Sequence, residues 1–166
     1  MSRADIAQQI KQSRAFRCHA EKAIVSLIKT TDMILAVEET RFREYNITPT
    51  QYNVLRILRG AGEAGLPVME IGNRMLSRVP DVTRLLDRME KNGFVERQRG
   101  RADRRSVIAR LTDQGLATVN ALDPVVHEIE ARVFANITPE EIDALCGVLE
   151  KLRENCFDDP NAPAQP

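Results

Sequence analysis

Residues 80–115 of the chain read PDVTRLLDRMEKNGFVERQRGRADRRSVIARLTDQG, and the hydrophobic period changes half-way along this stretch. In its first ten residues, apolar side chains recur at i, i+3, i+4 and i+7: Val82, Leu85, Leu86 and Met89. This spacing predicts a helix that begins at Pro80, buries one face and ends at Asn92-Gly93. The other face of such a helix is free to meet a partner.

Beyond this helix the sequence is typical of strands. Residues 94–97 and 107–111 have the composition of two short strands, and the loop 98–106 between them contains Gly100. The two strands are predicted to form a long hairpin. The segment 97–105 reads RQRGRADRR, so five arginines fall within nine residues around the tip of this hairpin.

The chain before residue 80 is predicted to be helical. An apolar stripe at helical spacing covers residues 21–45, and the more polar twenty residues before it are also predicted to be helical. Residues 48–51 read TPTQ, which fits a capping box with proline at the first helical position. A second helix therefore begins there and ends at residues 60–62. Pro67 opens a third, short helix.

The chain after the hairpin is predicted to be helical as well. A helix begins at Thr112, and Asp123-Pro124 is expected either to kink it or to restart it with Asp123 as a new cap. Residues 138–141 read TPEE, a second capping box that begins the last helix. Residues 158–166 hold three prolines and no bulky apolar side chain, which predicts a disordered tail.

The predicted fold is mainly α with a small β-hairpin wing: a winged helix-turn-helix flanked by N- and C-terminal dimerisation helices. The flanking apolar stripes, over 21–45, 116–133 and 142–152, are long for a chain whose winged core spans about 65 residues. We expect a second copy of the chain to cover them. The alternative is that these helices pack on each other within one chain.

Charge is distributed unevenly along the chain. The 166 residues carry 24 basic and 24 acidic side chains, yet residues 74–110 contain eleven basic and five acidic ones. One concentrated basic segment in a neutral protein indicates a single anionic contact surface, for which nucleic acid is the usual partner. Aromatic residues are only 4% of the chain and tryptophan is absent, which weakens any model based on base stacking.

Other classes of protein find no support in the sequence. No apolar run reaches 18 residues and the start has no apolar signal segment, so we expect a cytoplasmic protein without a membrane-spanning helix. The three cysteines form no CxxC pair, and two histidines are too few for a His-rich metal site. No P-loop, GxSxG or strand-linked GxGxxG motif occurs, so no enzymatic activity and no cofactor are predicted.

The outer face of the helix from Pro80 has the residue types that a DNA recognition helix needs. Arg84 suits guanine O6 and N7 or a phosphate, and Thr83 suits a phosphate oxygen. Asp81 either accepts from cytosine N4 or favours the helix dipole. The predicted DNA-binding residues of this helix are Pro80, Asp81, Thr83, Arg84 and Arg88. The alternative is the ordinary solvated face of a core helix.

The arginines of the hairpin form the second predicted contact. On a hairpin tip they suit a narrow, A·T-rich minor groove. Asp103, two residues before Arg105, is placed to orient that guanidinium by a charge-assisted pair. The predicted wing contacts are Arg99, Arg101, Asp103, Arg104 and Arg105. The alternative is a charged, solvated hairpin without a partner.

Four motifs in this order resemble the MarR family of winged-helix transcriptional regulators: PDVTRLLDRM at 80–89, GFVER at 93–97, DRR at 103–105 and LTDQG at 111–115. The resemblance covers about residues 20–155 and is most specific from 79 to 115. It implies that residues 80–84 meet the major groove, and that Arg105, oriented by Asp103 of the D-x-R signature, enters the minor groove. It also implies a homodimer that binds a pseudo-palindromic operator and represses transcription until a small ligand or an oxidant binds.

The sequence does not decide which effector the protein binds. Oxidant-sensing members of the family use a cysteine near the start of the first long helix, and Cys18, between Arg17 and His19, is the candidate by position. The tyrosine partners of the hydroperoxide sensors are missing, because the only tyrosines are Tyr45 and Tyr52. The resemblance implies a small aromatic or phenolic effector between the dimer helices and the winged domain. A winged helix used as a protein-interaction module is the other open function, against which the arginine-rich loop argues.

The sequence therefore predicts four parts. They are an N-terminal helical dimerisation segment (1–45), a winged helix-turn-helix DNA-binding domain (46–112), C-terminal dimerisation helices (113–157) and the disordered tail (158–166). Double-stranded DNA and a second copy of the chain are the predicted partners, and no metal site or membrane contact is expected.

Overall fold

A computed structural model of the chain describes residues 5–77, 79–99 and 106–157. Its elements in chain order are α1 (Ile6–Gln9), α2 (His19–Phe42), α3 (Pro49–Ala61), β1 (Leu66–Pro67), α4 (Val68–Asn73), α5 (Val82–Lys91), β2 (Val95–Arg99), β3 (Val107–Leu111), α6 (Asp113–Val133) and α7 (Pro139–Phe157). Single turns of 3-10 helix, Arg43–Tyr45 and Gly62–Ala64, follow α2 and α3. The predicted helical fold with a β wing is confirmed. The tail at 158–166 lies outside the described residues.

Side-chain hydrogen bonds form the helix starts that the sequence predicted. At α3, the N–H of Gln51 donates to Thr48 Oγ1 at 3.2 Å, and the N–H of Thr48 donates to Gln51 Oε1 at 2.9 Å. The same reciprocal pair joins Thr138 and Glu141 at α7. Both capping boxes are confirmed. They satisfy N–H groups that a helix start leaves without intrahelical partners.

The sheet has three antiparallel strands in the order β1–β3–β2. β2 and β3 form the predicted hairpin, whose outermost described pair is Arg99 opposite Val107. The short strand β1, which pairs Leu66 with Ala109, was not predicted, because two residues show no alternation. Gly65 allows this approach: a Cβ there would lie 2.3 Å from the carbonyl oxygen of Ala109, and its φ is +67°.

One hydrophobic core joins the helices to the sheet. Its largest fully buried side chains are Phe42, Val54, Leu55, Leu58, Ile71, Leu86, Met89, Val95, Val119 and Leu122. They come from α2 to α6, so the winged part shares one interior with the end of α2 and with α6. None of the side chains described in α1 and α7 belongs to this core.

The N-terminal segment is less helical than predicted. Of residues 5–18, only Ile6–Gln9 form a helix, so the prediction of helix throughout that segment is wrong. Lys11 has a φ of +53°, a left-handed conformation that ends the helical path. The long helix predicted over 21–45 spans His19–Phe42 and ends in a 3-10 turn before Asn46, whose φ is +54°.

α6 runs without interruption through Pro124, so the predicted restart with Asp123 as a cap is wrong. The Asp123 carboxylate is paired instead with Arg59 of α3, at 2.7 Å from Nη1 to Oδ2 and 3.1 Å from Nη2 to Oδ1. Arg59 Nη1 also donates to Asn120 Oδ1 at 3.0 Å. These bonds hold the helical turn before Pro124 against α3, although the proline removes one backbone donor.

The Arg59–Asp123 pair predicts how stability depends on pH. Hydrogen bonds from Arg59 lower the pKa of Asp123 below its ordinary value of 3.8. A carboxyl whose pKa is lowered in the folded state stabilises the fold above its unfolded pKa, and this contribution is lost as the pH falls through the folded pKa. We expect Asp123→Asn to be less stable than the wild type by about 1 kcal/mol at pH 7, because the pair is partly exposed. The difference should shrink as the pH falls below 3.8.

Thermal unfolding of both proteins at pH 7, 4 and 2.5 measures this effect. Asp143→Asn, at an exposed position of α7, is the matched control and should show no such dependence. A stability difference between wild type and Asp123→Asn that stays constant over this range would contradict the role given to the pair.

Candidate nucleic-acid interface

The two faces of α5 lie in opposite environments. Leu85, Leu86 and Met89 are buried in the core, which confirms the predicted inward stripe. The outer face has these exposed side chains: Thr83, Arg84, Asp87, Arg88 and Lys91. Because interiors are closely packed, the inner face fixes the direction in which the outer face points.

The start of α5 differs from the prediction by two residues. The helix begins at Val82 with Asp81 as its N-cap, so Pro80 precedes the helix instead of opening it. The N–H of Arg84 donates to Asp81 Oδ1 at 2.9 Å, and Arg84 Nε lies 3.1 Å from Asp81 Oδ2. The carboxylate explains the boundary, since an aspartate side chain satisfies the first-turn N–H groups and the proline ring has no group to do so.

Arg97 of β2 is turned towards α5. Its Nε and Nη2 donate to Glu90 Oε2 at 3.0 and 2.7 Å, and Nη2 also pairs with Asp87. Its backbone N–H donates to Glu90 Oε1 at 3.0 Å. Only 19% of the side chain is exposed, and the hydrogen bonds to Glu90 raise the pKa of Arg97 above its ordinary value. Arg97 thus fastens β2 to α5, and counting it among the arginines of the hairpin tip is wrong.

This ion-pair cluster was not predicted from the sequence. Asp87 and Glu90 lie three residues apart on α5, a spacing that places both carboxylates on one side of a helix. That spacing was the only available signal. No local pattern indicates which of the five arginines in 97–105 contacts α5. The alternation of side chains along β2 decides this, and β2 extends to Arg99, two residues beyond its predicted end.

Asn53 of α3 is a second residue that the sequence did not indicate. Its Oδ1 accepts from the backbone N–H of Leu76 at 2.9 Å, in the turn between α4 and α5. Leu76 itself is 85% exposed. The bond therefore holds an exposed part of the helix-turn-helix turn against α3, a contact between residues too distant in sequence for any motif to reveal.

The wing is described up to Arg99 on one strand and from Ser106 on the other. Arg99 is exposed at the end of β2. Across the hairpin, Arg110 Nη1 donates to Gln98 Oε1 at 3.1 Å, which braces the two strands. Four predicted contacts lie outside the described residues and stay predictions: Arg101, Asp103, Arg104 and Arg105.

Cys18, the candidate redox residue, is exposed and stands at the N-cap of α2. The neighbouring Arg17 is engaged by Glu21, whose carboxylate accepts from the Arg17 N–H at 2.6 Å and lies 3.4 Å from its Nε. In the part of the chain that is described, no three His, Cys, Asp or Glu side chains are placed to bind a metal ion together. Nor is any described helix long and apolar enough to cross a membrane.

A helix-turn-helix followed by an antiparallel hairpin packed against its second helix defines the winged helix-turn-helix class of proteins. Within that class, the model of the MarR family matches residues 47–107. The chain is 36% identical over 109 residues to the HTH-type transcriptional regulator YkoM of Bacillus subtilis (strain 168). The aligned region covers 66% of this chain and 70% of that protein. The chain belongs to the MarR family.

Solved structures agree with this assignment. The crystal structure of a MarR transcription factor from Planctomyces limnophilus is 32% identical, with a TM-score of 0.64 over 82% of this chain and 98% of that chain. A mutant MarR from E. coli, crystallised in complex with operator DNA, is 25% identical, with a TM-score of 0.70 over 76% and 89% of the two chains. The chain is thus a transcriptional regulator of the MarR family by sequence and by fold.

Replacing Arg97 by methionine should loosen the wing. The substitution keeps much of the side-chain length but removes the guanidinium, so Asp87 and Glu90 Oε2 lose their ion pair while Glu90 Oε1 keeps its bond from the backbone N–H. We expect the free energy of unfolding, measured by urea denaturation, to fall by about 1–3 kcal/mol. Arg99→Met removes an exposed arginine from the same strand and should change stability by less than about 0.5 kcal/mol. Equal stability of the two variants would contradict the role of Arg97.

Proposed function

We propose that this chain is a sequence-specific double-stranded DNA-binding regulator that acts as a homodimer on a pseudo-palindromic operator. The observation that carries the proposal is the outer face of α5, where Thr83, Arg84 and Arg88 are exposed while the inner face is fixed in the core. A helix held in this way fits the major groove, which is about 12 Å wide. The similarity to an E. coli MarR in complex with operator DNA supports the proposal.

The proposed contacts divide by their chemistry. Arg84 extends from the first turn of α5 with 83% of its side chain exposed, and it suits a base edge. Arg88, one turn later, and Arg99 on the wing are exposed and suit phosphates, which position the protein without reading sequence. By their place in the sequence, three further arginines extend the wing contact: Arg101, Arg104 and Arg105.

A second copy of the chain would cover α2 and α7. None of the side chains described in α7, over residues 139–156, is buried. Its exposed apolar side chains are Leu145 (43%), Val148 (56%) and Leu152 (41%). On α2 they are Ile24, Ile28, Met33 and Leu35. Open apolar faces on helices of 24 and 19 residues are typical of obligate dimer interfaces. A two-fold dimer would place two copies of α5 about 34 Å apart, one turn of DNA.

We further infer that a small aromatic or phenolic effector releases the DNA, so that the protein acts as a repressor. A cavity of about 550 Å³ lies between α4, α5 and the wing, and its lining includes Val68, Val82, Thr83 and Val107. Its volume is in the range of small-molecule sites. An effector there would adjoin Thr83 on the face proposed to meet DNA. The position between dimer helices and winged domain, which the family resemblance implied, stays a second candidate.

Two alternative functions predict different behaviour in solution. A protein-interaction module would bind its partner without the salt dependence of DNA binding, whose log–log slope is about −0.9 per phosphate contact. A redox regulator would lose or gain DNA binding on peroxide treatment, and Cys18→Ser would abolish that response. We place the protein in the cytoplasm, where a regulator reaches its DNA.

Removing the guanidinium of Arg84 should weaken specific DNA binding. The probe is the duplex that the wild type recovers from sheared genomic DNA, and the readout is fluorescence anisotropy at several salt concentrations. We expect Arg84→Ala to lose about 1–3 kcal/mol of binding free energy if the contact is to a base. Arg132→Ala, which removes an exposed arginine at the end of α6, is the control. Unchanged affinity of Arg84→Ala for this duplex would show that α5 does not dock as proposed.

Charging the apolar face of α7 should separate the two copies. In the double variant Leu145→Asp, Val148→Asp, two carboxylates would have to be buried without partners, which a dimer interface does not tolerate. We expect analytical ultracentrifugation to give the mass of two chains for the wild type and of one chain for the variant. Glu154→Lys, on the opposite side of α7, should stay dimeric. A variant that remains a dimer would refute this interface.

A further inference from the structure

Asp81 and Arg84 are joined by two separate contacts. One carboxylate oxygen of Asp81, Oδ1, accepts from the backbone N–H of Arg84 at 2.9 Å and so caps α5. The other oxygen, Oδ2, pairs with Arg84 Nε at 3.1 Å. The Arg84 side chain is nevertheless 83% exposed, and that of Asp81 is 44% exposed. The carboxylate of Asp81 therefore both caps α5 and forms an ion pair with the exposed Arg84 guanidinium at Nε.

This geometry restricts what Arg84 offers to a ligand. A guanidinium has five N–H donors in a planar fork. Because Asp81 forms its ion pair with Arg84 at Nε, the edge left for a ligand is the pair of terminal nitrogens, Nη1 and Nη2. Two parallel donors match guanine O6 and N7 in the major groove, which is the commonest specific contact of arginine with DNA. An arginine already held in place also loses less side-chain freedom when it binds.

The charge of Asp81 favours a base edge over a phosphate as the partner of Arg84. A carboxylate 3.1 Å from Arg84 Nε opposes the approach of a phosphate to that guanidinium, whereas a base edge has no net charge. Each oxygen of Asp81 already has a partner within the chain, so an approach to cytosine N4 would compete with the cap of α5 and with the Arg84 pair. We propose that Asp81 is a specificity-determining positioning residue, which directs Arg84 to guanine in the major groove without contacting DNA itself. This inference rests on the proposed function, with α5 as the recognition helix.

Asparagine at position 81 separates the two roles of this side chain. Asparagine caps helices about as well as aspartate, because its Oδ1 accepts the same backbone hydrogen bond. Its uncharged amide forms no ion pair with the Arg84 guanidinium and does not repel a phosphate. Asp81→Asn therefore keeps the cap of α5 but removes the ion pair that positions Arg84. If Asp81 served only as a helix cap, this substitution would leave DNA selection unchanged.

The experiment is a selection from a random duplex library, carried out in parallel with the wild type, Asp81→Asn and Arg84→Ala. The control is Asp113→Asn, which removes an exposed carboxylate from the first turn of α6, another helix. We expect the wild type and the control to select guanine at one position of each half-site. Asp81→Asn should relax the same position that Arg84→Ala relaxes, with discrimination at that position falling about ten-fold, within the roughly 5- to 150-fold that a bidentate contact provides. Its affinity for random duplex should rise, because one negative charge near the DNA is gone.

Three results would overturn the inference. Asp81→Asn could select the same sequence with unchanged discrimination, it could relax a position that Arg84→Ala leaves intact, or its affinity for random duplex could fall. Should Asp81→Asn melt at a lower temperature than the wild type, Asp81→Ser supplies the same test with a different capping side chain. A wild type that selects no sequence at all would instead refute the proposed function, so the two failures are distinguishable.

Discussion

The burial of one face of α5 is the constraint on which the rest of the structure depends. Leu86 and Met89 have no exposed surface and Leu85 is 3% exposed. Burying side chains of this size contributes about 1.5–3 kcal/mol each. Rotation of α5 about its axis would therefore cost several times the energy of any single surface contact. The outward direction of Arg84 and Arg88 is thus set by apolar residues on the opposite side of the same helix.

Exposure separates the arginines that hold the fold from those available to a ligand. Arg97 is 19% exposed and Arg59 31% exposed, and each donates through two nitrogens to a carboxylate of another element. Partly buried forks of this kind fix the relative position of elements, because breaking one leaves a carboxylate with no partner. Arg84 is 83% exposed, and its single pair with Asp81 adds little to stability. What that pair provides is orientation.

The helices outside the winged part connect the proposed dimer interface to α5. The end of α2 contributes Phe42 to the core, and Arg41 Nη2 pairs with Glu128 of α6 at 2.7 Å. A displacement of α2 in a dimer would therefore be transmitted to the packed core and to α5. Because operator half-sites have a fixed spacing, even a small change in the distance between two copies of α5 would alter DNA affinity. In the proposed dimer, this packing would give the proposed effector a route to the DNA-binding face.

The sequence alone determined the long helices, the capping boxes at Thr48 and Thr138, and the order of helix-turn-helix and hairpin. Each of these features follows from local signals that act within one or two helical turns. Examples are the capping box at Thr48, the apolar stripe that ends at Met89 and the helix stop at Gly93. Only the tertiary structure decided that Arg97 binds α5, that Asp123 pairs with Arg59 instead of capping a new helix, and that Leu66 adds a third strand. In each case the partner lies elsewhere in the sequence, seven residues away for Glu90 and more than forty for Arg59 and Ala109. Which distant groups meet is fixed by packing, and no local period contains that information.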